Sequence, residues 1–151
     1  HLPAERTKTD AAIRIPLSPW AVAILQEQRA RGYNGFVFPA LRFSPGKTTG
    51  YIGETSLNHA LYILQSSLPA FTVHDLRRTA RTHLAALGVA PYVAEMCLNH
   101  KPKGIEAVYN VHDYFEERRA ALFALSDLLA ECEKGDADKV IPIRQRGGQK
   151  A

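Results

Sequence analysis

The sequence has little of what defines several classes of protein. Only two of its 151 residues are cysteines, Cys97 and Cys132, and neither belongs to a C-x-x-C pair, which argues against a disulfide framework and a redox motif. No uncharged apolar run approaches the roughly 18 residues of a membrane span, and the chain does not begin with a signal peptide. These absences predict a reduced, cytoplasmic protein with one packed domain and loose ends.

Net charge is also scarce outside the C-terminal tail. The formal charge is +4, and residues 139 to 151 supply the whole excess with four basic residues and no acid. Residues 104 to 138 hold nine acids against three bases. Residues 74 to 103 form a local basic face that suits a polyanion, although an ordinary solvated face would show the same charges. Its basic residues are Arg77, Arg78, Arg81, Lys101 and Lys103, against the acids Asp75 and Glu95.

Helix signals dominate the chain and predict a mainly α fold with a small antiparallel β-hairpin or sheet. Alternating residues within 4 to 18 indicate the hairpin, with its turn at Thr9 and Asp10. "FVFP" indicates a short buried extended piece, and the Gly- and Pro-rich residues 42 to 54 a surface loop. Five helices are predicted. The first follows the Ser18 cap with Pro19 at its first position, and the second covers residues 55 to 68. The third runs from a Thr72 cap with Asp75 to Gly88, the fourth starts at Pro91, and the fifth covers residues 114 to 134.

Four of these helices have a predicted inward face. The spacing of three and four residues places each set on one side of its helix. The sets are Leu17, Ala21, Ile24, Leu25 and Gln28 in the first helix; Leu76, Ala80, Leu84 and Leu87 in the third; Val93, Met96 and Cys97 in the fourth; and Phe115, Leu122, Leu125, Leu129 and Cys132 in the last.

One short motif can carry chemistry. His74 and Arg77 are three residues apart in the first turn of a predicted helix, where free backbone N–H groups and the helix dipole favour an anion. An arginine fork holds two phosphate oxygens, and a histidine exchanges a proton near neutral pH. Taken alone the pattern is weak, because an amphipathic helix often begins with a charged turn.

Together with the residues that follow, the motif forms a pattern that resembles a known protein family. His74 and Arg77 are followed by Gly88 between two helices, by His100 at the end of "CLNH", and by Tyr109 nine residues later. This order resembles the catalytic segment of the tyrosine recombinases, the phage integrase family. Lys8, in the turn of the predicted hairpin, matches the family's catalytic lysine. "YNVHDYFEERRAAL" is similar to integrases of satellite phages and integrative elements, and the resemblance covers residues 2 to about 130.

The resemblance implies a role for each matching residue. Tyr109 would attack a scissile phosphate and form a 3′-phosphotyrosine with a free 5′-hydroxyl. Arg77 would hold the non-bridging oxygens, Lys8 would protonate the departing oxygen, His74 would act as acid or base, and His100 would hydrogen-bond the phosphate. No metal or other cofactor is implied. The implied partners are double-stranded DNA attachment sites, further protomers in a tetramer on DNA, and accessory DNA-bending proteins, with a place at the bacterial nucleoid.

Three departures from the family pattern matter. The family's first arginine, in a Thr-Gly-x-Arg-x-Gly-Glu-like box upstream of the lysine, has no counterpart before Lys8. We therefore expect a truncated, inactive fragment, with residues 1 to 134 from the C-terminal part of a catalytic domain and residues 135 to 151 as a flexible basic tail with a short strand at 140 to 143. Asn99 replaces a glycine, and Asn tolerates left-handed geometry. Ala90 stands where a capping residue is expected.

Several alternatives remain beside this hypothesis. Tyr114 competes as the nucleophile, although its place at a helix start favours packing or capping. His83 is expected to be a core histidine with its hydrogen bonds satisfied. A zinc site of His74, His83, Cys97 and His100 is disfavoured because Cys97 lies on an inward face. Arg78, Arg81, Lys101 and Lys103 are either DNA-backbone contacts or solvated charges. The main rival is a non-catalytic helix-turn-helix module for DNA binding or regulation, and a phosphodiesterase using His74 is a weaker one.

Overall fold

A computed structural model describes residues 1–7, 10–32, 35–40, 50–53, 55–64, 70–100 and 112–135. The chain divides into two compact units, His1–Arg78 and Thr79–Ala151. The regular structure of the described ranges is helical, as predicted. It comprises a 3-10 turn at Ala4–Arg6 and the helices α1 Pro19–Arg31, α2 Ser56–Leu64, α3 Val73–Ala86, α4 Pro91–Cys97 and α5 Phe115–Glu133.

The predicted hairpin is reduced to one bridge in the part of the chain that the structure describes. Leu2 and Ile13 form an isolated antiparallel bridge, with N–H to oxygen distances of 2.8 and 2.9 Å. The Thr7 hydroxyl oxygen lies 3.0 Å from the Ala4 carbonyl oxygen and 2.9 Å from that of Ala11, and its one hydrogen can be donated to either. Such local bonds compete with a strand ladder. The described residues therefore contain bridges but no strand, and the turn residues 8 and 9 lie outside them.

Helix α1 begins as predicted. The Ala21 N–H donates to the Ser18 hydroxyl at 3.1 Å, and Pro19 occupies the first position. It ends at Gly32, where an added Cβ would lie 2.4 Å from the Phe36 carbonyl oxygen. Since the chain approaches itself this closely, no larger residue fits at Gly32 without movement.

The predicted apolar face of α1 is wrong. No residue of the helix is buried, and Leu17 and Ile24 are 47% and 42% exposed. The reason is that residues 20 to 25 are all apolar and so surround the helix instead of forming one stripe. Nor is "FVFP" buried, because Phe36 and Phe38 are 38% and 46% exposed; Pro39 forms the second antiparallel bridge, to Tyr51.

Side-chain and backbone caps set both ends of α3. Thr72 and Asp75 form the predicted box: the Thr72 N–H donates to Asp75 Oδ2 at 3.0 Å, and the Asp75 N–H donates to the Thr72 hydroxyl at 3.3 Å. At the other end Gly88 has φ +77, and the Val89 N–H donates to the Leu84 carbonyl at 3.0 Å. This is the left-handed stop predicted for Gly88.

A small core joins three helices of the second unit. Leu84 of α3 and Ala94 of α4 are fully buried, and Ala121 and Leu125 of α5 are nearly so. Helix α5 turns its Ala121, Leu125 and Leu128 side inward, whereas Leu129 is 45% exposed. The buried side of α5 is therefore rotated from the predicted stripe by about one residue, and the small Ala121 lies in the cluster shared with α4.

The predicted stripe of α3 is correct only in part. Leu84 is buried and Ala80 packs against the core, but Leu76 and Leu87 are 48% and 40% exposed. The buried residues of α3 therefore lie only in the part of the helix that shares the core with α4 and do not extend along its whole length. None of the helices in the described ranges has the length and apolar content that a bilayer span needs.

Removal of the Leu84 side chain should be the costliest single truncation in this core. Leu84→Ala should lower the free energy of unfolding by about 2–5 kcal/mol, since a cavity adds to the lost transfer energy. Leu129→Ala is the matched control, with a smaller expected loss of about 1 kcal/mol because that leucine is 45% exposed. Urea denaturation followed by circular dichroism measures both, and equal losses would contradict this account of the core.

Candidate functional site

The capping box of α3 positions the first pair of candidate residues. His74 and Arg77 lie in the first turn of α3, His74 exposed and Arg77 half-buried. Among the described residues, neither side chain forms an ion pair. Side-chain oxygens already bind the first N–H groups of this helix: Asp75 binds that of Thr72, Asn58 that of Val73, and Thr72 that of Asp75. An anion at this end of α3 would therefore be bound mainly by the His74 and Arg77 side chains.

The neighbouring Arg78 is oriented differently. Its Nη1 donates to Asp75 Oδ1 at 3.1 Å, with the arginine side chain 65% exposed. Asp75 also accepts from the Thr72 hydroxyl at 2.8 Å. The pKa of Asp75 lies below its ordinary value, first because of the Thr72 hydroxyl and N–H and then because of Arg78. Arg78 is thus a surface charge that helps to neutralise the cap.

A second cluster, in the other compact unit, centres on Glu95. Arg81 Nε of α3 donates to Glu95 Oε1 at 2.6 Å, and His100 Nδ1 lies 2.5 Å from Glu95 Oε2. The hydrogen bonds from Arg81 and His100 hold the pKa of Glu95 below its ordinary value of 4.5, against the opposing effect of desolvation. One carboxylate therefore connects two of the residues predicted from the sequence.

Backbone geometry fixes the position of His100. Asn99 has φ +56, in the left-handed region. The Asn99 N–H donates to the Met96 carbonyl at 3.0 Å, and the His100 N–H donates to the Glu95 carbonyl at 2.9 Å. These two bonds form a Schellman motif. The prediction that Asn99 preserves the turn in place of glycine is confirmed, and Ala90 provides no side-chain cap, as expected.

Four predicted site residues lie outside the described ranges. They are Lys8, Lys101, Lys103 and Tyr109, and the segment "GIEAVYNV" around the tyrosine and the basic tail lie there too. Their predicted roles are untested by the geometry. The described candidates are His74, Arg77 and Arg78 in the first unit and Arg81 and His100 in the second.

The competing Tyr114 is a packing residue. It has φ +48 just before α5 and is half-buried against the core. Its ring centroid lies 5.0 Å from that of Tyr92 and 4.6 Å from that of His112. The side chain does not cap the helix; Asp113 does, because its Oδ1 accepts from the Phe115 N–H at 3.0 Å.

The structure also shows the surroundings of His83 and of Cys97, two residues of the disfavoured zinc site. His83 is 6% exposed, as expected, but its Nδ1 finds no hydrogen-bond partner among the described residues, so it is not fully satisfied. Cys97 Sγ lies 3.9 Å from the Arg118 carbonyl, to which it donates, and burial raises the pKa of this thiol. No group of three His, Cys, Asp or Glu side chains in the described ranges could hold a metal ion.

Similarity to known proteins runs through almost the whole chain. The chain is 35% identical over 143 residues to prophage integrase IntZ of Escherichia coli (strain K12), an alignment covering 93% of this chain and 34% of that protein. It is 33% identical over 137 residues to prophage integrase IntA of the same strain, covering 89% of this chain and 32% of that protein. This chain is therefore similar to phage integrases over about nine tenths of its length, and the name integrase segment is used for it.

This integrase segment spans about a third of the length of the curated relatives it matches. No family model matches the chain. No solved structure matches it either.

Two residues of the integrase segment were not recognised from the sequence. From the sequence alone, Glu95 is only an acid within a basic stretch. Its signal is its position five residues before His100, the distance that the last hydrogen bond of a left-handed helix end spans. Arg118, 4% exposed, donates from Nε to the Asp113 carbonyl at 2.8 Å and so fixes the start of α5. An arginine in an amphipathic helix carries no sequence signal of such burial, because its partner is a backbone carbonyl.

The lowered pKa of Glu95 predicts an acid-sensitive contribution to stability in this integrase segment. Since the folded pKa lies below 4.5, the contribution is complete above that value and is lost as the pH falls through the folded pKa. Between about pH 6 and about pH 3, the urea midpoint should therefore fall more steeply for the wild-type chain than for Glu95→Gln. Parallel curves for the two proteins would show that the carboxylate is not stabilised in the folded state.

Proposed function

We propose that this chain is the tyrosine-bearing part of a site-specific DNA recombinase. The similarity to two prophage integrases over about nine tenths of the chain carries the proposal. The order His74, Arg77, His100, Tyr109 supports it, since this is the order of the catalytic residues in the family that the chain resembles. A general DNA-binding module would not need a tyrosine at a set distance after His100.

The proposed reaction is a transesterification at a DNA phosphate. The Tyr109 phenol oxygen forms a bond to phosphorus and loses its proton, while the bond from phosphorus to the 5′-oxygen breaks. Lys8 gives a proton to that oxygen, leaving a 3′-phosphotyrosine and a free 5′-hydroxyl. A phenol has an ordinary pKa of about 10, so the nucleophile needs positioning and a proton acceptor.

The cationic residues supply charge stabilisation in this proposal. Arg77 holds two non-bridging oxygens, His74 exchanges a proton, and His100 hydrogen-bonds the phosphate. The exposed His74 and half-buried Arg77 lie on one capped helical turn, which supports a shared anion as their ligand. No metal or nucleotide cofactor enters the reaction, because the phosphotyrosine keeps the energy of the broken ester bond.

Further charges would bind the DNA backbone. Arg78, which is 65% exposed, and Lys101 and Lys103 are proposed as phosphate contacts, which makes binding depend on salt but not on base sequence. Arg81 is a weaker candidate, since its guanidinium already binds Glu95.

The complete activity is proposed for a longer protein. The 151 residues contain no Thr-Gly-x-Arg-x-Gly-Glu-like box before Lys8, so another segment must supply the first arginine. Residues 1–134 would be the C-terminal part of the catalytic domain, acting in a tetramer on duplex attachment sites, with DNA-bending accessory proteins, at the bacterial nucleoid. The tail 135–151 would be a flexible basic segment with a short strand at 140–143. By itself the chain should bind DNA weakly and cleave almost none, because the first phosphate-binding arginine of the family pattern is not among these 151 residues.

Replacement of the nucleophile tests the proposal. In the full-length integrase containing this segment, Tyr109→Phe should abolish covalent capture of a nicked attachment-site duplex, while duplex binding persists. Tyr114→Phe is the matched control and should still form the adduct, because its ring is packed against Tyr92. Denaturing gel electrophoresis of radiolabelled DNA measures the adduct.

The opposite results would identify the rival assignments. An adduct that survives in Tyr109→Phe and disappears in Tyr114→Phe would make Tyr114 the nucleophile. Salt-dependent DNA binding with no adduct from the wild-type protein on its own site would instead favour the non-catalytic helix-turn-helix module.

A further inference from the structure

The Glu95 side chain is held at both carboxylate oxygens. Arg81 Nε donates to Oε1 at 2.6 Å, and His100 Nδ1 lies 2.5 Å from Oε2. Arg81 extends from α3 and Glu95 from α4, so the contact joins two helices that already share the Leu84 and Ala94 core. A carboxylate bound in this way has little freedom to rotate.

His100 is attached to Glu95 a second time through the main chain. Its N–H donates to the Glu95 carbonyl at 2.9 Å, within the left-handed turn at Asn99. One residue therefore sets both the position of the His100 backbone and the orientation of its ring. The His100 side chain is 51% exposed, so the edge of the ring that does not contact Glu95 can reach a ligand.

We propose that Glu95, anchored by Arg81, is a positioning residue for His100: it keeps a proton on Nδ1 and leaves Nε2 for the scissile phosphate. Because a carboxylate only accepts, the Nδ1 position next to it must carry the hydrogen. Nε2 then accepts a hydrogen bond when the ring is neutral and donates one when the ring is an imidazolium. This inference rests on the proposed function for its substrate but not for its geometry.

Arg81 then has a different role from the DNA-backbone contact that its charge suggests. Its side chain is 29% exposed and its Nε is engaged by Glu95. It acts on the site through Glu95 and is not itself a DNA contact. Arg81 and Glu95 are therefore expected to give similar defects, whereas loss of a backbone contact such as Arg78 would weaken DNA binding instead.

The first test measures which nitrogen of the His100 ring carries the proton in the absence of DNA. At about pH 8.5, where a free imidazole is neutral, nitrogen-15 NMR of the 151-residue chain should show the Nδ1–H tautomer. In Glu95→Ala the Nε2–H tautomer, which a free imidazole prefers, should become the major form. Glu27→Ala, which removes an exposed Arg31–Glu27 pair of 2.5 Å, is the matched control and should leave the His100 signal unchanged. An Nε2–H tautomer in the wild-type chain would overturn the inference.

The second test measures cleavage by the full-length integrase containing this segment. Glu95→Ala should slow the single-turnover formation of covalent adduct about 10–100-fold, the usual cost of removing a residue that orients a functional histidine. The dissociation constant for the duplex should stay within about twofold, because no phosphate contact is removed. Glu95→Gln keeps one acceptor oxygen and should retain more of the rate than Glu95→Ala, provided both variants melt near the wild-type temperature.

The outcomes separate this inference from the proposed function. The positioning role would be overturned if Glu95→Ala cleaved at the wild-type rate. It would also be overturned if the loss of rate were matched entirely by a loss of folded protein. Neither result would affect the proposed function. A wild-type protein that forms no adduct would overturn the proposed function and with it the catalytic purpose of Glu95, whereas the tautomer measurement would still decide the geometry.

Discussion

The buried apolar cluster of α3, α4 and α5 is the interaction on which the second unit depends. Leu84 and Ala94 are fully buried in it, and Ala121 and Leu125 of α5 complete the same cluster. Small residues at Ala94 and Ala121 leave room for α4 and α5 to pack closely. The polar cluster lies at the edge of this contact: Arg81 is one turn before Leu84, and Glu95 directly follows Ala94. An ordinary apolar contact thus brings the charged groups of two helices together.

Two left-handed turns determine where the chain goes after each of these helices. Gly88 ends α3 with φ +77, and Asn99 ends α4 with φ +56. In both places the N–H of the next residue returns to the last helical turn, from Val89 to Leu84 and from His100 to Glu95. The first turn allows α4 to pack against α3, and the second places His100 beside the carboxylate. The proposed recombinase site therefore uses backbone geometry to position a side chain that is itself half-exposed.

Local signals in the sequence were sufficient for the helix ends. Ser18 with Pro19, Thr72 with Asp75, and Gly88 act within a few residues of themselves, so their effects can be predicted without knowledge of the packing. The order of His74, Arg77, His100 and Tyr109 was likewise enough to indicate the family to which the similarity to prophage integrases also points.

Features that depend on contact between distant segments were not predictable in the same way. Leu129 has the same spacing from Leu125 as a buried residue would have, yet the helix buries the preceding residue, Leu128, and leaves Leu129 45% exposed. Burial of Arg118 depends on a backbone carbonyl, and the role of Glu95 depends on the crossing of two helices. The Thr7 side chain replaced part of the predicted hairpin by a local turn, a competition that alternation of residues does not reveal.

The central claim is that His74, Arg77, His100 and Tyr109 act on one DNA phosphate, with Glu95 directing His100. A structure of the full-length integrase on its attachment-site duplex tests this claim most directly. The account predicts polar atoms of His74, Arg77 and His100 within about 3 Å of oxygens on the same scissile phosphate. It also predicts the Tyr109 oxygen in line with the 5′-oxygen, and His100 Nδ1 still bound to Glu95. A phosphate contacted by Tyr114, or a His100 ring turned away from both Glu95 and the DNA, would contradict it.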